Sequence, residues 1–137
     1  MIRDSKIIEA KIEAIEDGLE SVVEALQTHG ISSKICYKVR LALDELLTNI
    51  VSYAYRGRPG KVEICYEITD EPKAVAVMLV DEGEPFDPTK TEDPDITKDA
   101  AHREIGGLGL FIVKSIMDEV QYRREGNQNI LVIRKNL

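Results

Sequence analysis

A change of hydrophobic period near residue 13 excludes most folds at once. Ile8, Ala10 and Ile12 alternate with Glu9, Lys11 and Glu13, which predicts a strand over roughly 6–12. Ile15, Leu19, Val22, Val23 and Leu26 then fall at helical offsets, and Gly30 supplies a C-terminal stop. Ser32 or Ser33 can cap a second helix, whose apolar set runs from Val39 through Leu43, Leu46, Leu47, Ile50 and Val51 to Ala54. The segment Arg56-Gly57-Arg58-Pro59-Gly60 ends it. Alternation returns over Lys61 to Thr69, and a denser apolar run follows over Ala74 to Val80, with a turn at Asp70-Glu71-Pro72 between them. Residues 82–105 are polar, contain Pro85, Pro88 and Pro94, and read as a long loop of the kind that serves as a lid or binding loop. Helical spacing resumes from Gly107 to Met117, and two strands near 119–125 and 129–135 close the chain around Gly126-Asn127-Gln128. Strand, two helices, two strands, loop, helix, two strands is an α+β order. It predicts a two-layer α/β sandwich with helices on one face of a mixed, mostly antiparallel sheet.

A chain of 137 residues with 43% hydrophobic residues is expected to form a single domain over 1–137 with a substantial core. The net charge is −7, and no basic face of the kind that binds nucleic acid is evident in the sequence. A nucleotide site would then depend on local amides and a metal rather than on the global field. Cys36 and Cys65 lack metal-like spacing and read as small apolar side chains in a reducing compartment. His29 and His102 share no zinc spacing. No apolar leader or membrane-spanning run is evident, so the expected location is the cytoplasm, away from the membrane.

Three short strings carry chemistry. Glu45 and Asn49 lie four apart on the second helix and share a face, as do Asp44 and Thr48. An amide oxygen suits Mg²⁺ held jointly with phosphates, and a carboxylate one turn away can accept a proton. Asp81 closes an apolar strand, where its carboxylate can accept from an adenine amino group, and Gly83 would let the backbone lie against the base. Gly106-Gly107-Leu108-Gly109 opens a helix, whose free N–H groups favour phosphate oxygens. It is neither a P-loop nor a dinucleotide fingerprint. Alone, each string has a plainer explanation: a polar helix stripe, a strand-ending turn, a hinge.

Together they resemble the GHKL ATPase superfamily, and most closely its small stand-alone members, the anti-sigma factor serine kinases. The E-x-x-T-N box is matched by Glu45-Leu46-Leu47-Thr48-Asn49, the D-x-G-x-x-F-D-P box by Asp81, Gly83, Phe86, Asp87 and Pro88, and the glycine box by Gly107 and Gly109. The resemblance implies the histidine kinase-like ATPase fold, with an ATP lid at about 84–106. It implies Glu45 as general base, Asn49 as Mg²⁺ ligand and ATP contacts from Asp81, Gly83, Phe86, Gly106, Gly107, Leu108 and Gly109. Near the final strand relatives place Thr or Ser beside adenine, a position that Asn129 occupies here. Tyr53 stands where many relatives have His, and Arg103 is the nearest candidate for an arginine that senses the terminal phosphate.

The resemblance therefore implies a regulatory serine/threonine-protein kinase that uses ATP and Mg²⁺. Its implied partners are a STAS-type anti-sigma factor antagonist, a sigma factor and a second copy of the chain. The alternative is a binding switch in which nucleotide selects the partner with little turnover. Lys98 and Arg103 read as exposed loop charges, Tyr53 and Tyr55 as packing residues, and Glu13, Glu16, Glu20 and Glu24 as a solvated helix face.

Overall fold

The computed structural model describes residues 1–90 and 107–137. Strand β1 (Ile2–Glu9) leads into helices α1 (Ile12–Thr28) and α2 (Ser33–Asn49), and α2 continues as a π-helical turn over Ile50–Ala54. Strands β2 (Lys61–Asp70) and β3 (Lys73–Asp81), a short 3₁₀ turn at Pro88–Lys90, helix α3 (Gly107–Ile116) and strands β4 (Glu119–Glu125) and β5 (Gln128–Asn136) complete it.

The five strands lie in the order β1-β2-β3-β5-β4. Every ladder is antiparallel, so the sheet is not mixed as the element order suggested. The expected first strand at 6–12 also shifts. β1 pairs from Ile2 opposite Ile68 to Glu9 opposite Lys61, and Ile12 already belongs to α1. An edge strand takes its extent from its partner's free hydrogen-bonding groups, so the polar stretch Arg3–Lys6 zips onto β2 regardless of its own apolar pattern. Ser32 rather than Ser33 caps α2, its hydroxyl accepting from the Ile35 amide at 3.3 Å.

One face of the sheet carries the core. Val62 and Ile64 of β2, Val75, Val77 and Leu79 of β3, and Leu131 and Ile133 of β5 cluster with Leu19 and Leu26 of α1, Leu43 and Leu47 of α2 and Val113 of α3. Glu13, Glu16, Glu20 and Glu24 line the exposed side of α1. On the opposite sheet face Ile7 is exposed and Cys65, Met78 and Val132 are half-buried. The result is one layer of helices on one layer of sheet. Among the described residues no helix is long and apolar enough to cross a membrane.

Candidate functional site

The site forms where α2 runs over one end of the covered sheet face. The register aligns Val62, Asp81, Asn129 and Arg124 in a single row across β2, β3, β5 and β4. Residues directly opposite in neighbouring strands project to the same side. Asp81 and Asn129 are therefore side by side beneath α2, and with Asn49 they are the buried polar residues of the molecule among those described. Leu46, Asn49, Asp81, Phe86, Tyr122 and Asn129 line a cleft there.

Asp81 is held on one side only. Its Oδ1 accepts from the Gly83 amide and from Asn129 Nδ2, each at 2.9 Å. Its Oδ2 has no protein partner among the described residues. Burial pushes the Asp81 carboxyl above its usual range, while the bonds from Asn129 and Gly83 and the charge of Arg124 pull it back. A half-satisfied, acceptor-only carboxylate beside apolar walls suits a ligand with an amino group.

Gly83 is required by a close approach. A Cβ there would stand 2.7 Å from the Ala54 carbonyl carbon, so the turn after β3 lies directly against the π turn that ends α2. The Glu84 amide donates to the Ala54 carbonyl at 2.9 Å, and Arg124 donates to the Gly83 carbonyl at 2.8 Å. Gly83 is thus needed for the helix end, independently of the expected room for a base. The π step closes through the Tyr55 amide and the Ile50 carbonyl at 3.0 Å. Such a step adds one residue to the ladder and turns the following side chains by about 100°. Tyr55 is thereby buried, donating to the Lys61 carbonyl at 2.6 Å and accepting from the Glu82 amide at 2.9 Å. It braces the turn that carries Asp81 and Gly83. Tyr53 stacks on Phe86, with centroids 5.2 Å apart and planes at 27°.

Asn49 ends α2 with its side-chain amide buried and without a protein partner among the described residues. A buried, unpaired amide is unusual and leaves bonding positions open to a water, an ion or a ligand. Glu45, one turn earlier, is half-buried and has neither a hydrogen bond nor an ion pair among the described residues. Burial first, and the Asp44 carboxylate second, push its pKa up. Asp44 itself is exposed and faces away from the cleft floor. The Glu45 carboxyl lies directly against Gly109 in the first turn of α3, filling the space a Cβ would occupy. The first and third strings of the sequence thus meet. A carboxyl group sits at a helix N-terminus, where free N–H groups favour anions.

The structure brings together Glu45, Asn49, Asp81, Gly83, Phe86, Gly109 and Asn129. Gly107 and Leu108 belong to α3, whereas Gly106, Arg103, Lys98 and most of the expected lid lie outside the described residues. Tyr55, Tyr122 and Arg124 were missed as site residues. The hairpin turn at Gly126 would have revealed two of them: pairing Glu125 with Gln128 places Arg124 opposite Asn129 and Tyr122 opposite Leu131.

Comparison with known proteins gives a consistent picture. Residues 8–135 match the family described as the histidine kinase-like ATPase domain. The chain is 32% identical over 101 residues to the serine-protein kinase RsbW of Staphylococcus epidermidis, covering 69% of this chain and 62% of that protein. It is 29% identical over 98 residues to the serine-protein kinase RsbW of Bacillus cereus strain AH187, covering 69% and 60%. The matched stretch spans about three-fifths of the length of these relatives.

Proposed function

This chain belongs to the histidine kinase-like ATPase domain family, and from that premise we propose that it is an ATP-dependent serine/threonine-protein kinase. Its substrate is a serine hydroxyl on a STAS-type anti-sigma factor antagonist, and its second partner a sigma factor. It works as a homodimer in the cytoplasm. The observation that carries the reading is Glu45: an unpaired, half-buried carboxylate with a raised pKa, one turn from a buried unpaired Asn49 and in contact with the α3 N-terminus. Nucleotide binding alone needs no proton acceptor at that place.

In this reading Asp81 Oδ2 accepts from the adenine amino group, and the phosphates run toward Asn49 and the first turn of α3. The serine Oγ attacks the γ-phosphorus. The Oγ–P bond forms as the bond from phosphorus to the bridging oxygen of ADP breaks, and the serine proton passes to Glu45. Asn49 fits Mg²⁺ through its amide oxygen, and the ion, when bound with the phosphates, offsets their charge.

The test is direct. Incubated with Mg-ATP and a STAS-type protein, the native protein should yield phosphoserine on that protein, detectable by mass spectrometry. Nucleotide-dependent partner binding without any phosphoserine would leave only the switch reading. Gly109→Ala sharpens the test, because its methyl group must displace the Glu45 carboxyl. The displaced atoms are the far end of a flexible side chain, so the fold should tolerate it. Transfer should still fall about 10- to 100-fold, as expected for a misplaced catalytic group.

A further inference from the structure

Asn129 is the most completely bonded side chain of the site, and its bonding leaves nothing for a ligand. Its Nδ2 donates to Asp81 Oδ1 at 2.9 Å and to the Glu84 carbonyl at 2.8 Å. Its Oδ1 accepts from the Tyr122 hydroxyl at 2.5 Å and from the Phe86 amide at 3.4 Å. An amide side chain has two N–H donors and two acceptor positions, and all four are engaged. The orientation is also fixed. A flipped amide would set its NH₂ against the Phe86 N–H and its oxygen against the Asp81 carboxylate and the Glu84 carbonyl.

We infer that Asn129 is a positioning residue for base recognition: it occupies Oδ1 of Asp81 and so presents Oδ2 alone, as a pure acceptor, to the base. This inference rests on the reading of the cleft as an adenine site. It replaces the expectation that Asn129 itself contacts adenine. The device selects by hydrogen-bond sense. An ionised Asp81 with one occupied and one open oxygen receives an amino group and rejects the carbonyl that guanine presents at the same ring position. Tyr122 and Phe86 hold Asn129, so residues from β4 and from the loop after β3 together set the rotation of the Asp81 carboxyl.

The experiment uses Asn129→Asp, read as the ratio of its ADP affinity to that of the native protein across about pH 5.5 to 8.5, by calorimetry with Mg²⁺ present. The groups facing residue 129 are Asp81 from β3, Tyr122 and Arg124 from β4, and Asp87 from the following loop. Two carboxyls at this separation share a proton at low pH, and the shared proton reproduces the bond that Nδ2 now makes. The variant should therefore bind ADP within a few fold of native at the acid end. It should weaken by about tenfold or more as pH rises and the pair loses that proton. A packing role alone would give a ratio independent of pH. Tyr122→Phe is the gentler second variant; it keeps the ring and should weaken ADP by about threefold to tenfold.

A folded Asn129→Asp protein whose ratio stays flat, together with unchanged affinity in Tyr122→Phe, would overturn the positioning role and leave the adenine reading standing. Failure of the native protein to bind ADP at all would overturn both.

Discussion

Glu45→Gln should lose phosphoryl transfer to a serine-bearing partner by about 10²- to 10⁴-fold, the range for removal of a general base. Its ATP affinity should stay within a few fold of native, because Glu45 is not among the residues that line the Asp81 cleft and the substitution keeps its shape. The amide is nearly isosteric, so the contact with Gly109 survives and the loss can be assigned to the proton. The pH profile supplies an independent check. Burial raises the Glu45 pKa, so a larger share of the carboxyl is protonated, and inactive as a base, on the acid side. Transfer in the native protein should rise with pH through that raised pKa and then level off. The same limb should be missing from Glu45→Gln. Measured by single-turnover transfer of labelled phosphate, equal rates for the two proteins would remove Glu45 from the chemistry.

The second large effect is expected at Asp81. Asp81→Asn replaces an acceptor-only group by one that must aim its NH₂ either at Asn129 Nδ2 and the Gly83 amide or at the ligand. Either choice opposes a donor with a donor in a buried site. An unsatisfied buried polar group costs about 1–3 kcal/mol, more where a charged hydrogen bond is lost. ATP affinity should therefore fall on the order of 10- to 100-fold. The free protein should lose little stability, because the raised pKa of Asp81 shows that its charge is already disfavoured by burial. Calorimetric ATP titration and a denaturant midpoint separate the two quantities. Unchanged ATP affinity would refute the pocket.

Hydrophobic period made most of this fold readable because each element keeps one face in the core. Ile15, Leu19, Val22 and Leu26 are buried along α1, and Val62, Ile64 and Ile68 along β2, as their spacing requires. Period failed at β1, where Ala10 is buried outside the strand and Ile12 is exposed at the start of α1. The extent of an edge strand is a property of its partner. The site was legible as residue types but not as contacts. Nothing local in Glu45 or Gly109 says that the two touch, since that contact is made by packing α3 on α2. The π turn over Ile50–Ala54, which lies against Gly83 and precedes the Tyr55 that braces the Asp81 turn, likewise has no local signature in the sequence. The Arg124–Asn129 pair, by contrast, was recoverable from hairpin arithmetic, whereas the Asp81–Asn129 pair depends on the non-local pairing of β3 with β5.

Binding of an adenine nucleotide through the one open oxygen of Asp81 is the claim on which the rest depends. Its most direct test is calorimetric titration of the native protein with ADP and with GDP, Mg²⁺ present in both. ADP should bind, and GDP should bind at least about 100-fold more weakly, because its ring carbonyl meets a carboxylate with no proton to give. Equal affinity for the two nucleotides, or no binding of ADP, would contradict it.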